Sequence, residues 1–392
     1  MRLRGNPLLK ALDRWLLGTA ISSFGWIKSK PRLSDPPGSV LLIKLNALGD
    51  TILFVALARV LKRTYPEVRV EFLGSEINLP VLQRCPYLDA VQVCRLSDVF
   101  RKPLTFLNVI RQIQRNRYDV IIDGSQWERI TALITLFSRA KATVGFDTAG
   151  QKRSGAYHFP IPHRREQHEI DCFFELLQPL GIMAQTEERG GIYVVQSEDR
   201  EKLRNVYDPL KSQIVFHPGC GAHGAPRQWL PQYYSELAER LAGEFPDHHI
   251  LLTGSTDETE TCASVKSNSR NEILDLCGKL DFHQLAALLE QAALLICGNT
   301  GVMHLAAAIG TPVIALHGPT DPRRWGPLSK KATVIISPKE CAPCLYLGSE
   351  YACDCPDCMA EIPVAGVFQA CCIWLNLNSR PPKTRITEKH DG

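Results

Sequence analysis

The run from Ala293 to Thr320 constrains the fold more than any other part of this chain. Ala293 to Ile296 reads as an apolar strand, Gly298 to Gly301 as a tight polar turn and Val302 to Ile309 as a short helix. Pro312 opens a second strand that ends at Leu316. This order aims the bare N–H groups of a helix N-terminus at the carboxyl edge of a parallel sheet, an edge that receives phosphate esters well. Asn299, Thr300 and Gly301 leave room there for a diphosphate, and His304 lies one turn along.

The same alternation fills the rest of the chain. Val40 to Leu45 reads as a buried strand, followed by the turn Asn46-Ala-Leu-Gly-Asp50, a helix from Thr51 to Tyr65 and a strand from Val68 to Leu73. Strand, helix and strand this close imply a right-handed parallel crossover. The pattern returns at Val120–Ile122, Ile130–Phe137 and Thr143–Phe146, and a long amphipathic helix over His168–Leu180 closes the first half. After the Gly190-Gly191 break come strands at Ile214–Phe216, Ile250–Thr253, Ile273–Leu276, Leu294–Cys297 and Val313–Leu316. Helices over Gln232–Glu244, Glu258–Lys266 and Phe282–Gln291 separate them. The expectation is an α/β chain of two doubly wound, Rossmann-like domains facing across a cleft. The divisions expected are 1–38 as an N-terminal segment and linker, 39–190 and 191–340 as the two domains, and 341–392 as a Cys-rich segment, a helix and a polar tail.

The 392 residues suffice for two ordinary domains, and a 45% hydrophobic content supplies a large core. A net charge of +4 with no dense basic stripe argues against nucleic acid as a partner. No apolar stretch reaches the roughly 20 residues needed to span a bilayer. The nearest is Trp15 to Ile27, preceded by Lys10, Asp13 and Arg14 and followed by Lys28, Lys30 and Arg32. Leu8, Leu12, Trp15 and Leu16 recur at helical spacing, so residues 7–28 read either as an interfacial helix on an anionic membrane face or as a helix packed on the protein itself. A cleaved signal fits the apolar length but lacks a small-x-small cleavage site.

Several short motifs share one pattern. They are Lys44-Leu-Asn-Ala-Leu-Gly-Asp50, His217-Pro-Gly219, Arg227-Gln-Trp229, Thr253-Gly254, Gly298-Asn-Thr-Gly-Val-Met-His304, Gly318-Pro-Thr-Asp-Pro322 and Arg324-Trp-Gly-Pro327. In this order, over roughly residues 39–372, they resemble glycosyltransferase family 9, the ADP-heptose:lipopolysaccharide heptosyltransferases and their relatives. The resemblance implies a GT-B fold, acceptor binding by the N-terminal domain and nucleotide-sugar binding by the C-terminal domain. It also implies inversion at the anomeric carbon without an obligatory metal or other cofactor. ADP-heptose is the implied donor and a lipid-linked saccharide the implied acceptor, at the cytoplasmic face of the inner membrane.

Each motif has a chemical reading beside a plainer one. Asp50 is the candidate base that takes the acceptor hydroxyl's proton; the alternative is a cap for a helix beginning at Thr51. Arg227 is the candidate cation for the departing diphosphate, where relatives often carry lysine; the alternative is a surface arginine beside Trp229. Asn299 stands where many relatives have aspartate, so it can hold sugar hydroxyls without charge. Thr300, Gly301 and His304 are candidate diphosphate contacts, against a core histidine. His217 and Gly219 end a strand where donor contacts gather, against an ordinary flexible turn. Thr253 and Gly254 end the next strand, and Glu258 either binds ribose hydroxyls or complements a helix dipole. The loops Gly124–Trp127 and Gly145–Ser154 are expected to select the acceptor.

Of 14 cysteines, seven fall from Cys341 onward. Cys341, Cys344, Cys355 and Cys358 are candidate ligands of a structural zinc ion or iron–sulfur cluster; free thiols or a disulfide are the alternatives. Two further functions stay open at this stage: a nucleotide-sugar epimerase of the same architecture, and a binding protein that has lost turnover.

Overall fold

The computed structural model describes residues 18–24, 30, 31, 33, 36–95, 103–207, 212–221, 224–345, 347 and 357–378. Twelve strands form two six-stranded sheets. The first contains β1 (Ser39–Ile43), β2 (Arg69–Gly74), β3 (Ala90–Val93), β4 (Val120–Asp123), β5 (Ala142–Asp147) and β6 (Phe159–Pro162) in the order 3-2-1-4-5-6. In the second, β7 (Ser212–His217), β8 (His248–Leu252), β9 (Leu274–Asp275), β10 (Leu294–Gly298), β11 (Val313–His317) and β12 (Ala332–Ile336) run 12-11-10-7-8-9. Renumbered from β7, that is the same order, and all the recorded pairings are parallel. Helices cover both faces, so β1, β10 and β11 are buried at every residue, which is why they read as unbroken apolar runs. In each sheet the winding reverses between two central strands, β1 and β4 in one, β7 and β10 in the other. Ligands of doubly wound sheets bind outside the carboxyl ends of such a pair.

Sequence and structure differ in informative places. The expected Thr51–Tyr65 helix is two helices, Leu48–Phe54 and Ala56–Thr64. The first begins before Asp50, because Ala47 takes a left-handed conformation (φ 65°) and turns the chain into the helix early. His168 caps a shorter helix, Glu169–Glu175, followed by a 3₁₀ turn at Gln178–Leu180. β3, β6, β12 and the helices Pro103–Asn116 and Ser197–Arg204 were not expected; the edge strands β3, β6 and β12 lack the long apolar runs of the central ones.

The segment Gly18–Phe24 packs on the first lobe, with Ile21 buried among Ala132, Leu133, Ala156 and Tyr157. That supports the self-packing alternative for these residues; residues 7–17 and 25–28 lie outside the described set. Among the described residues no helix is long and apolar enough to cross a membrane. The helix Val364–Asn378 packs on the helix Pro231–Glu244 of the second lobe. Nearby, Trp229 is fully buried and donates its Nε1–H to the Ile362 carbonyl at 3.0 Å.

Candidate active site

Four loops leave the two switch points: Lys44–Asp50 after β1, Gly124–Glu128 after β4, His217–Gly221 after β7 and Asn299–Gly301 after β10. They converge on one cleft of about 940 Å³ between the lobes. Asp50, His217, Arg227, Gly254, Glu258, Asn299, Thr300, Gly301 and His304 all line it. Across the gap the lobes nearly touch: a Cβ added to Gly301 would lie 3.2 Å from the Gly49 nitrogen, and one added to Gly49 would lie 2.9 Å from His304 Cδ2. The helices Leu48–Phe54 and Gly301–Ile309 thus meet by their N-terminal turns, and glycine at both crossing positions lets them approach this closely.

Asp50 is not a cap. The N-terminus of its helix has no side-chain cap hydrogen bond. Its Oδ2 instead lies 3.2 Å from Lys44 Nζ and accepts from Gln126 Nε2 at 3.0 Å. Lys44 is almost wholly buried and also donates to Gln126 Oε1 at 3.0 Å. The carboxylate therefore has a fixed orientation and a counter-charge, while remaining 15% exposed to the cleft.

In the second lobe Arg227 is buried rather than superficial. It donates to the carbonyls of Asn299 at 2.9 Å and Cys220 at 3.0 Å, tying the β7 and β10 loops together. A guanidinium has five N–H groups, so capacity for an anion remains after these two bonds. Asn299 uses its side chain differently from the expectation: Nδ2 donates to the Trp325 carbonyl at 3.0 Å. The Thr300 hydroxyl caps its helix by accepting from Val302 N at 3.1 Å. His304 is buried, its Nδ1 has no protein partner among the described residues, and burial followed by the nearby His168 and His317 pushes its pKa down to about 3. A neutral imidazole in the cleft is the result.

Glu258 joins two loops of the second lobe. It accepts from Gly221 N at 2.8 Å and from Ser255 N and Oγ at 2.7 and 3.0 Å. Burial would raise its carboxyl, but the adjacent His217 ring and these N–H groups together pull it below the usual range. A Cβ on Gly219 would fall 2.0 Å from Glu258 Oε1, so the β7 turn is more than a flexible loop. Thr253 bonds His217 Nδ1 through its hydroxyl at 3.2 Å and is buried behind the cleft.

Other expectations meet different fates. Gln126 and Trp127 reach the cleft, but the Gly145–Ser154 loop does not line it; its Arg153 is buried against Asp123 at 2.7 Å and buttresses the β4 loop. Cys341 is exposed, Cys344 half-buried and Cys358 buried against Gly318, whereas Cys355 lies outside the described residues. The groups of three metal-capable side chains among the described residues lie elsewhere, at His163–Glu169–Cys172 and Cys262–Asp275–Cys277. The first already holds the guanidinium of Arg324, 2.8 Å from Glu169, which disfavours a metal cation there. Sequence reading missed Glu169 as a site neighbour; Lys44 and Arg324 stood in the motifs without a role of their own, and Gln126 stood in the loop expected to select the acceptor.

The family model for glycosyltransferase family 9 (heptosyltransferase) matches residues 106–353. Lipopolysaccharide heptosyltransferase 3 of Escherichia coli K12 is 26% identical over 292 residues, covering 71% of this chain and 82% of the relative. Lipopolysaccharide heptosyltransferase 2 of Salmonella typhimurium is 25% identical over 312 residues, covering 76% and 87%. The structure of E. coli ADP-heptose lipopolysaccharide heptosyltransferase II superposes with a TM-score of 0.70 at 21% identity, over 87% of this chain and all of that one. With the family match spanning well over half of its length, and with two doubly wound lobes flanking a shared cleft, the chain belongs to glycosyltransferase family 9, the heptosyltransferases.

Proposed function

We propose that this glycosyltransferase moves a heptosyl group from ADP-heptose onto a lipid-linked saccharide of the lipopolysaccharide core, with inversion at the anomeric carbon. The observation that carries this reading is Asp50, set by Lys44 and Gln126 on one lobe opposite the Asn299–Gly301 turn of the other. Family membership sets aside the epimerase alternative.

In this reading the acceptor hydroxyl oxygen attacks the anomeric carbon and its proton passes to the Asp50 carboxylate. The bond from that carbon to the β-phosphate oxygen breaks, and ADP leaves with the electron pair. Charge growing on the β-phosphate meets the remaining N–H groups of Arg227, the N-terminal turn of the Gly301–Ile309 helix and neutral His304. Asn299 and Arg227 shape that turn through the bonds described above. Glu258 and Gly254 form the wall for the nucleoside, with Gly219 packed against Glu258, and Trp127 and Glu128 face the acceptor side. The lobes bearing these roles would correspond to residues 39–190 and 191–340.

Two finer points belong to the same proposal. The enzyme works on the cytoplasmic face of the membrane carrying its acceptor, a reading that rests on the basic, apolar N-terminal sequence. A structural metal on Cys341, Cys344, Cys355 and Cys358 rests on sequence spacing; elemental analysis of anaerobically purified protein tests it, and absence of stoichiometric zinc or iron ends it. The principal test is transfer from ADP-heptose to a heptose-deficient lipopolysaccharide core, compared with other nucleotide sugars. Product that requires both substrates supports the reading; donor conversion without acceptor, or no turnover with any donor, refutes it.

A further inference from the structure

A chain of hydrogen bonds, buried at its centre and half-buried at its two ends, runs from the donor turn of one lobe to the candidate base of the other. Asn299 Nδ2 donates to the carbonyl of Trp325 at 3.0 Å. The adjacent Arg324 reaches across the lobes and donates through Nε and Nη2 to Glu169 Oε2 at 3.1 and 2.8 Å. Glu169 Oε1 accepts from Gln126 Nε2 at 2.9 Å and pairs with His163 Nε2 at 3.0 Å. Gln126 Nε2 also donates to Asp50 Oδ2, at 3.0 Å. A second bond crosses beside this path, His168 Nε2 to the Gly326 carbonyl at 3.0 Å.

We infer that Gln126, Glu169 and Arg324 are positioning residues that align Asp50 with the donor turn by linking the two lobes; the inference rests on the transferase reading above. Three observations carry it. First, the Gln126 carboxamide has its orientation dictated: its oxygen faces Lys44 and its nitrogen faces two carboxylates. A carboxamide has one acceptor and two donor hydrogens, so every part of it is committed. Second, Glu169 and Arg324 are 0% and 4% exposed although they belong to different lobes. Removing one partner of such a pair strands the other charge in a desolvated site, so the pair favours one relative placement of the lobes. Third, burial would raise the Glu169 carboxyl, yet His163, Arg324 and Gln126 together hold it well below the ordinary range. It therefore stays a charged acceptor that keeps the Gln126 amide nitrogen turned toward Asp50. Lys44 faces Asp50 directly, and Cys172 is the other titratable group against Glu169. An interlobe staple alone would need only Arg324 and Glu169. The position of Gln126 between Glu169 and Asp50 connects that staple to the chemistry.

The experiment compares Gln126→Leu, Arg324→Met and Arg324→Lys with the unsubstituted enzyme in two assays. In steady-state transfer from ADP-heptose, Gln126→Leu is expected to lower kcat roughly 10- to 100-fold, the loss typical of a misplaced reacting group, with donor KM changed less than about threefold. The acid limb of its pH profile shifts, and Arg324→Lys keeps more kcat than Arg324→Met. In hydrogen–deuterium exchange, adding ADP is expected to slow exchange at residues 48–54 and 124–128 of the unsubstituted protein, and not of Arg324→Met. An unchanged kcat and pH profile in Gln126→Leu overturns the inference. So does an ADP effect at 48–54 that survives Arg324→Met. If the unsubstituted enzyme transfers nothing, the functional reading fails, and the exchange experiment still decides whether the lobes are linked in this way.

Discussion

Asp50 Oδ2 and Lys44 Nζ lie 3.2 Å apart at the end of β1, a lysine buried to 1% exposure beside a carboxylate left partly open to the cleft. The pairing gives the candidate base a counter-charge without covering it. Replacing Asp50 with Asn keeps the shape but removes the proton acceptor. The expected loss in kcat is about 10²- to 10⁴-fold, with ADP affinity by calorimetry essentially unchanged. Retention of more than about a tenth of kcat would remove Asp50 from the base role.

The Gly219→Ala variant tests the donor wall. Its new methyl would fall 2.0 Å from Glu258 Oε1, so the carboxylate must leave Gly221 N or Ser255 N. Forcing a methylene into a packed site typically costs about 1–3 kcal/mol. A lower urea midpoint together with weaker ADP binding is expected; unchanged values for both would show that the wall is pliant.

Arg227→Lys tests whether the fork matters or only the charge. A lysine ammonium cannot reproduce the planar two-pronged reach to Asn299 O and Cys220 O. ADP affinity is expected to fall by about tenfold or more, equivalent to ~1.4 kcal/mol. Equal affinity in calorimetry would assign the site's cationic role elsewhere.

Stability should fall with acid well before the carboxylates titrate. His304 and His317 are held neutral by burial, down to about 3 and about 4 against an ordinary 6.5. His168, His217, His248 and His283 shift in the same direction. The unfolded chain takes up these protons near 6.5 while the native state does not, so stability declines as pH drops below that value. Glu169 works at a lower range: its stabilisation is complete above its unfolded value of 4.5 and is lost only as pH falls further toward its depressed native value. Urea midpoints at pH 7.5, 6.0 and 5.0 should therefore decrease in order, with a shallower decline in His304→Gln. A flat profile over that range would contradict buried neutral histidines.

What could be read from the sequence follows burial. β1, β10 and β11 announce themselves because both faces are covered; the helix Phe282–Gln291 carries the periodicity, and Gly301–Ile309 the glycine punctuation, that marks it out. β3 and β6, at opposite edges of their sheet, contain exposed residues and a Phe-Pro-Ile-Pro sequence, and gave no such signal. The site was legible where a turn had to be glycine or where a helix N-terminus met a strand end, as at Gly219 and Asn299–Gly301. It was illegible where function depends on what meets across the lobes. No local pattern could show that Glu169 would meet Arg324, 155 residues away, or that the side chain of Asn299 would turn toward Trp325. The alternative of Asp50 as a cap could not be dismissed from sequence because the left-handed turn at Ala47, a residue with no special propensity for it, starts the helix early.

The Trp229–Ile362 bond has a consequence for biosynthesis. The indole beside the Arg227 turn is seated by a carbonyl 133 residues further along the chain. At a translation rate of about 5–20 residues per second, roughly 7–27 s separate the emergence of those two partners from the ribosome. During that interval the nascent second lobe lacks this contact, and its apolar Trp229 surface is open to chaperones, while the lobe bearing Asp50 can already have folded. On the proposed function, the donor side of the cleft is therefore completed only after Ile362 has emerged.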